Sequence, residues 1–405
     1  MKVTVAQLGA RRHYAVPIAF EKMGYLNQLL TDVHAGSWPI QWAGKIPNKF
    51  KGAMIKRILG RSLVGIPPIK IKDFSLFSFF CLLCRFTMQQ DKFFLYSDIG
   101  FGKRMIKHLE ADVPDILYCF SPQAFEMLKW CKRNSVKAIL DQPIAPRKIE
   151  IAILRDEFER HPDWAIKSPI ENEIDLELIK REKDEFELAD RIVCGSEFVK
   201  DSMITLGYQP DKISVISSGI ALPNASNVNN KHRDGPLRVL FVGQVSLRKG
   251  APYLAECAKA LKGLAIFRVV GPIDLPAKAL AELKQHCEVL GSVPRIEVGE
   301  HFTWADVFFL PGLCEGSAMV TYEALAYGLP VVTTPNSGSI VRDGVDGFVS
   351  TAGVLNDFLS NLTQLCKNKA LVNNMSESAL KRIAGYTLNA YMLAQKEVAD
   401  SLIRL

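Results

Sequence analysis

Two carboxylates, Glu315 and Glu323, are separated by seven residues in the run E-G-S-A-M-V-T-Y-E. Glu315-Gly316-Ser317 is a polar turn, whereas Met319, Val320, Tyr322, Ala324, Leu325 and Ala326 read as a buried helix that contains Glu323. A helix that begins between the two leaves the backbone N–H groups of Gly316, Ser317 and Ala318 free at its positive end, which suits an anion such as a diphosphate. At 1.5 Å per residue, Glu323 lies about 9 Å beyond Ser317 along the helix axis. The two carboxylates therefore flank the anion, and carboxylates are good acceptors for hydroxyl groups. Sugar hydroxyls, diphosphate and ribose hydroxyls follow one another in this way in a nucleotide-sugar.

The elements around this turn must hold it. Val307-Phe308-Phe309-Leu310 reads as a strand buried on both faces, broken by Pro311-Gly312. Gly328 ends the helix, and Pro330 starts the next apolar strand, Val331-Val332. Strand, turn, helix and strand in this order predict a parallel α/β sheet.

The same grammar extends over the chain. Val3 to Leu8 is a first strand, followed by Ala10-Arg11-Arg12-His13-Tyr14 at its carboxyl end, where open α/β sheets bind ligands, and by a helix over Pro17 to Met23. His13 is a candidate substrate contact or a plain polar loop residue. Residues 36–110 read as irregular and helical. Asp115 to Cys119 and Val136 to Leu140 are further strands. Ser121-Pro122 opens a helix with Ser as N-cap and Pro at the first position, and Asp141 closes the second strand. A charged helix over Ile149 to Arg160 precedes His161. Glu171 to Leu188 predicts a long helix with solvated i,i+4 pairs on its outer side. Lys212 to Ile216 is another strand, and the polar stretch from Asn224 to Gly235 is a linker. A strand over Leu237 to Val242, the loop Gln244 to Gly250 and a helix from Ala251 begin the second half. Two strand-to-turn units end at Gly271 and Gly291, and three helices close the chain, over 355–366, 370–384 and 386–405.

At 405 residues the chain can hold two cores, and 48% hydrophobic with 23% charged residues argues against disorder. Nine cysteines, an odd number set mostly in apolar runs, fit a reducing compartment; Cys81 and Cys84 read as core residues, not half of a zinc site. No G-x-G-x-x-G is present, which removes the main support for a dehydrogenase. Met1-Lys2 leads straight into a strand, with no signal peptide, and the most apolar run, Phe74 to Cys84, is too short to cross a bilayer. A cytoplasmic protein is expected. Of the net charge of +7, residues 41–110 carry 13 Lys/Arg against 4 Asp/Glu. Within residues 41–72 the basic side chains alternate with apolar ones, which suits an anionic membrane surface or a lipid-diphosphate acceptor and, equally, a solvated basic face. No nucleic-acid module is found.

The stretch from Ala305 resembles the signature of family 4 (group 1) retaining glycosyltransferases, whose fold is GT-B. The matching residues are Glu315-Gly316 through Glu323-Ala324-Leu325-Ala326-Tyr327-Gly328-Leu329-Pro330-Val331-Val332, after an A-D-V-x-x-x-P strand. Ala189-Asp190-Arg191-Ile192-Val193 with Ser196-Glu197-Phe198 resembles another family segment. The likeness is strong over 189–350 and weak over 1–188. It implies two Rossmann-like domains facing a cleft: an acceptor domain over 1–216, a hinge over 217–236, a nucleotide-sugar domain over 237–385, and a final helix over 386–405 that crosses back to the first domain.

The resemblance also implies roles. Lys249-Gly250 matches the diphosphate grip, while Gln244, after Gly243, stands where relatives carry Arg; Arg248 is the neighbouring candidate. Ser292, Val293 and Arg295 lie in the turn that holds the base. Asp141 occupies the place of a common acceptor-side histidine, and His13 and His161 complete the acceptor-side candidates. Glu315 would orient the sugar and Glu323 the ribose, while Gly316, Ser317 and Ala318 meet the diphosphate. The implied reaction is retaining transfer from a UDP-, GDP- or ADP-sugar to a hydroxyl acceptor in polysaccharide, glycolipid or small-glycoside synthesis. With no D-x-D in the chain, neither metal nor cofactor is expected. A nucleotide-sugar-binding protein without transfer, or a GT-B epimerase, is the alternative.

Overall fold

A computed structural model of the chain describes residues 1–37, 65–84, 90–169, 171–223 and 235–403, together with Ile40, Leu59, Arg61 and Leu63. Most of the basic segment, including residues 41–58, and most of the linker lie outside the described residues.

The first sheet has the order β3-β2-β1-β4-β5-β6-β7, with every pair parallel. Its strands are β1 (Val3–Gln7), β2 (Leu26–Thr31), β3 (Ile71–Asp73), β4 (Ile116–Phe120), β5 (Lys137–Gln142), β6 (Arg191–Cys194) and β7 (Ile213–Val215). Alternate residues of β4 enter two different cores. Leu117 and Cys119 join Phe101, Leu128 and Phe186 on one face, while Ile116, Tyr118 and Phe120 join Val16 and Phe20 on the other. Burial on both faces is why these strands read as continuous apolar runs. Strand β2 was not foreseen: Leu-Asn-Gln-Leu-Leu-Thr carries two amides, yet Gln28 is buried and Asn27 donates to Asp112 at 2.8 Å.

The helices of this half are α1 (Ala15–Lys22), α2 (Ser75–Cys84), α3 (Gln90–Ala111), α4 (Phe125–Arg133), α5 (Arg147–Arg160), α6 (Glu173–Leu188) and α7 (Glu197–Thr205). One expectation fails. Helix α4 does not begin at Ser121-Pro122 but at Phe125, after a turn. Its cap comes from far along the chain, where Glu185 of α6 accepts from the N–H groups of Ala124 and Phe125 at 2.8 and 2.9 Å. One turn away, Glu182 accepts from the Arg147 N–H at the start of α5 and from Gln142. Helix α6 is thus no plain solvated helix. Its outer side does carry an exposed Lys183–Glu187 pair, but its inner side places two buried carboxylates at the positive ends of neighbouring helices. Burial pushes the Glu185 carboxyl up to about 8 and that of Glu182 to about 7.

The second sheet has the order β10-β9-β8-β11-β12-β13, again parallel throughout. It comprises β8 (Leu237–Val242), β9 (Ala265–Val270), β10 (Cys287–Gly291), β11 (Val307–Leu310), β12 (Val331–Thr333) and β13 (Gly347–Val349). Around it lie α8 (Ala251–Ala260), α9 (Ala277–His286), α10 (Val298–Trp304), α11 (Met319–Ala326), α12 (Leu355–Lys367) and α13 (Lys369–Ile383). The last helix, α14 (Leu388–Ile403), crosses back: Tyr391, Ala399 and Leu402 share a core with Val16 and Phe20 of α1. The chain crosses between the halves once more. Trp164, just after α5, is buried in the core of the second sheet, and Ile153 and Phe158 of α5 pack against that core.

Candidate functional site

In both sheets the strand order reverses beside the first strand, between β1 and β4 and between β8 and β11. Loops at the carboxyl ends of such strands diverge and leave a crevice, where open α/β sheets bind ligands. In the second half these loops are 243–250 after β8 and 311–318 after β11, which carry Lys249 and Glu315.

The two loops are held together by a glycine. Gly250 has φ of +73°, and a Cβ there would meet the Pro311 carbonyl oxygen at 2.0 Å. Only glycine allows this approach. It brings the preceding cations onto the turn: Lys249 Nζ lies 3.0 Å and Arg248 Nη1 2.7 Å from the same Glu315 oxygen. Arg248 Nη1 also donates to the Cys314 carbonyl at 2.7 Å, while its own carbonyl accepts from the Leu313 N–H at 2.9 Å. Lys249 and Glu315 are both buried. Two cations thus meet one carboxylate, with Glu150 of α5 near Arg248, and an anion entering here would find both cations close together. Gln244 turns away and donates to Asp274 at 2.9 Å, so it adds nothing to this cluster.

The helix after the turn starts later than the sequence suggested. Ala318 is the N-cap of α11 and no side chain caps it. The Ala318 N–H is already bonded to the Ser337 carbonyl at 3.0 Å, because the 334–338 turn runs along this one, and the Glu315 N–H is likewise taken by Asn336. Ala318 is therefore not a free donor, and the positive helix end opens at Met319. Ser317 keeps a hydroxyl contact, 3.1 Å from the Tyr322 hydroxyl. Glu323 pairs with Arg295, which is mostly exposed at the start of the short turn after β10. Ser292 is exposed, and Val293 packs against the second core.

A cavity of about 860 Å³ lies between the two halves. Arg11, Arg12, His13 and Lys22 line it from the first half, and Arg295, Ser317 and Glu323 from the second. Glu315 does not reach it. A Cβ on Gly316 would meet the Pro143 carbonyl oxygen at 1.6 Å, and Ser196 Oγ donates to the Gly316 carbonyl, so the halves touch directly above Glu315.

Of the acceptor-side candidates, His13 alone lines the cavity. Asp141 is fully buried beneath it, accepting from Arg12 Nε and Nη2 at 2.8 and 2.9 Å and from the Tyr118 hydroxyl at 2.7 Å. Asp141 is the penultimate residue of β5 and points to the same face as Ile139, toward the core that holds Tyr118. His161 does not line the cavity; it lies edge-on to Tyr253 with centroids 5.4 Å apart and 3.6 Å from Glu157. Arg12 lay in the stretch that the sequence placed at a ligand-binding strand end, but it was not singled out there. It stands on three successive non-glycine residues with positive φ, Arg12, His13 and Tyr14, and reaches Ser218 of the hinge at 3.5 Å. Glu150 of α5 is a second omission. Burial raises its pKa, and the nearby Arg248 opposes that rise. The doublet Arg11-Arg12 at a strand end was the visible signal for the first; the second had none.

Residues 236–368 match the family described as Glycosyl transferases group 1. Among curated proteins, the chain is 28% identical to the amylovoran biosynthesis glycosyltransferase AmsK of Erwinia amylovora, over 52% of this chain and 55% of that one. It is also 28% identical to a UDP-Gal:alpha-D-GlcNAc-diphosphoundecaprenol alpha-1,3-galactosyltransferase of Escherichia coli, over 48% and 55%. The chain thus spans about half the length of the curated relatives it matches. Among solved structures, Anabaena Alr3699/HepE in complex with UDP superposes with a TM-score of 0.65 at 13% identity, covering 100% of both chains. The lipopolysaccharide outer core galactosyltransferase WaaB gives 0.65 at 15%, covering 99% of each. At these identities the likeness is one of fold, and that fold is GT-B.

Proposed function

Since residues 236–368 form a group 1 glycosyl transferase domain within a GT-B fold, we propose that the chain transfers a sugar, with retention, from a nucleotide-diphosphate donor to a hydroxyl acceptor in surface-polysaccharide or glycolipid synthesis. The observation that carries this reading is the pairing of Lys249 and Arg248 with Glu315 at the strand-order reversal, one helix away from Glu323 at the cavity. On this reading a donor diphosphate sits between the open end of α11, which lines the cavity at Met319, and the two cations, and the contact of Gly316 with Pro143 must part to admit it. Its sugar then faces Glu315, and its ribose faces Glu323 and Arg295.

In this mechanism the sugar–phosphate bond breaks while the acceptor hydroxyl approaches from the same face, and the departing phosphate takes up the acceptor's proton. Arg248, Lys249 and the α11 end stabilise the charge that develops on the leaving diphosphate, as preorganised donors and dipoles do. Two cations supply that charge without a metal, so activity is expected to survive EDTA. The acceptor comes to the cavity from the side of Arg11, Arg12, His13 and Lys22, a basic wall that suits a phosphate-bearing, lipid-linked acceptor at the inner face of a membrane. The relative named as a galactosyltransferase of a diphosphoundecaprenol-linked sugar supports that acceptor class.

The test is a thermal-shift screen of UDP-, GDP- and ADP-sugars, followed by the stabilising donor with a lipid extract as acceptor. Nucleotide release coupled to an α-linked product from an α-linked donor is expected. Donor binding with no nucleotide release in the presence of acceptor extract would overturn transfer.

A further inference from the structure

Arg12 has more donors than its partners use. A guanidinium carries five N–H groups in a planar fork. Asp141 takes Nε and Nη2 at 2.8 and 2.9 Å, and Ser218 Oγ stands 3.5 Å from Nη1. Among the described residues nothing takes the remaining N–H of Nη1 or of Nη2. Those two nitrogens approach the second half at Gly195, directly after β6. A Cβ added to Gly195 would meet Ser317 Cβ at 2.8 Å and would stand 3.5 and 3.6 Å from Nη1 and Nη2. The φ of Gly195 is not positive, so its backbone does not call for glycine. What the missing side chain leaves is room between the guanidinium and Ser317. The guanidinium itself is fixed from beneath. Asp141 also accepts from the Tyr118 hydroxyl at 2.7 Å, and Gln395 of α14 donates to the hydroxyls of Tyr391 and Tyr118 at 2.9 and 3.4 Å. Asp141, Tyr118 and Gln395 are all fully buried. The positive φ of Arg12, His13 and Tyr14 is uncommon for non-glycine residues, and such backbone clusters at ligand sites.

We propose that Arg12 is a third cation for the donor diphosphate, presented from the first half: its two open N–H groups meet phosphate oxygen in the space beside Ser317. The proposal rests on the nucleotide-donor reading above and extends it. Arg248 and Lys249 approach the diphosphate from the side of Glu315. Ser317 follows two residues later, between Glu315 and the open end of α11, so a phosphate beside it lies between cations of both halves. It enters where Gly316, the neighbour of Ser317, parts from Pro143. A planar fork offers a phosphate two N–H groups in fixed directions, which a lysine ammonium cannot reproduce. The charge that grows on the leaving diphosphate then meets donors already in place, and the contact is stronger in the transition state than before it. Arg11, His13 and Lys22 of the same wall are left to the acceptor.

The test is calorimetry on the full chain with UDP, GDP and ADP, each beside its nucleoside. Arg12→Lys keeps a cation for Asp141 but loses the fork. It is expected to weaken binding of the diphosphate about tenfold and to leave the nucleoside as it was, a split that a merely structural role would not produce. A second variant keeps Arg12 and Asp141 intact. Gly195→Ala with Ser317→Gly relieves the clash of a new Cβ and puts a methyl in the space before the fork. Compared with Ser317→Gly alone, it is expected to lose a further factor of about ten, so the outcome does not depend on how well Arg12→Lys folds. Melting temperatures identify the folded variants. Wild-type diphosphate affinity in Arg12→Lys or in the double variant, or equal losses for nucleoside and diphosphate, would overturn the proposal and leave the donor reading standing. So would unchanged diphosphate affinity with slower transfer to the lipid extract, which would put the fork on a phosphate of the acceptor. No binding of any of the three diphosphates to the wild type would overturn the donor reading itself, and this proposal with it.

Discussion

The ammonium of Lys249 lies 3.0 Å from Oε1 of Glu315, the oxygen that Arg248 also meets. A group assigned to the leaving phosphate and a group assigned to the sugar are therefore one electrostatic unit. A diphosphate that enters must share Lys249 with Glu315, and in doing so it frees part of that carboxylate for the sugar hydroxyls.

Lys249→Ala is expected to weaken nucleoside-diphosphate binding about ten- to a hundredfold, from the roughly 1.5–3 kcal/mol of one charge-assisted contact. Affinity for the unphosphorylated nucleoside should stay as it is. Calorimetry on the two ligands decides the matter, and equal losses for both would remove Lys249 from the phosphates.

Glu315→Gln and Glu323→Gln should separate turnover from affinity. On the proposed roles, the first removes charge where the sugar–phosphate bond breaks, so kcat should fall more than donor affinity. The second removes a ribose acceptor that serves ground and transition states alike, and it also frees Arg295, so donor and free nucleotide should both weaken, about tenfold or more. If Glu315→Gln lost only affinity and Glu323→Gln only turnover, the two roles would be reversed.

Asp141→Ala should destabilise the fold by about 3–5 kcal/mol, because it leaves the Arg12 guanidinium and the Tyr118 hydroxyl without their buried partner. Asp141→Asn, which keeps the volume and one acceptor, should cost less. Melting temperatures rank the two. A wild-type melting point with altered acceptor affinity in Asp141→Ala would instead assign Asp141 to the acceptor.

The caps supplied by α6 give stability a pH dependence. Burial raises Glu185 from the usual 4.5 to about 8 and Glu182 to about 7. Carboxyls raised in the folded chain stabilise it most below their unfolded value, and that stabilisation is lost as pH rises through the folded one. Glu185→Gln keeps the oxygen that accepts from Ala124 and Phe125 and cannot ionise. The variant's melting temperature should therefore vary less than the wild type's between about pH 5 and 8. Parallel curves for the two proteins would show that Glu185 is ionised throughout.

What the sequence made legible was the part of the site built from neighbours in the chain. Glu315, Glu323 and Lys249-Gly250 lie in loops after apolar strands, and the sheet order brings those loops together without further help. The charge pairs across long separations were not legible. Arg12 and Asp141, or Glu185 and the start of α4, have no local pattern, and a helix rich in Glu and Lys looks solvated whether or not one side is buried. The start of α11 was misjudged for a similar reason, since the carbonyl that takes the Ala318 N–H belongs to a turn after the next strand. Strand β2 was hidden by its amides.

Trp164 and the apolar side of α5 bear on how this chain can be recombined. They come from the first half of the sequence yet complete the interior of the second sheet. A hybrid joined at the linker, with the second half taken from a relative, would keep Trp164, Ile153 and Phe158 but set them against a foreign core. Forcing side chains into a core not shaped for them typically costs about 1–3 kcal/mol. An exchange meant to alter donor choice should therefore carry residues 147–165 along with the second sheet, making the unit of exchange discontinuous in the sequence.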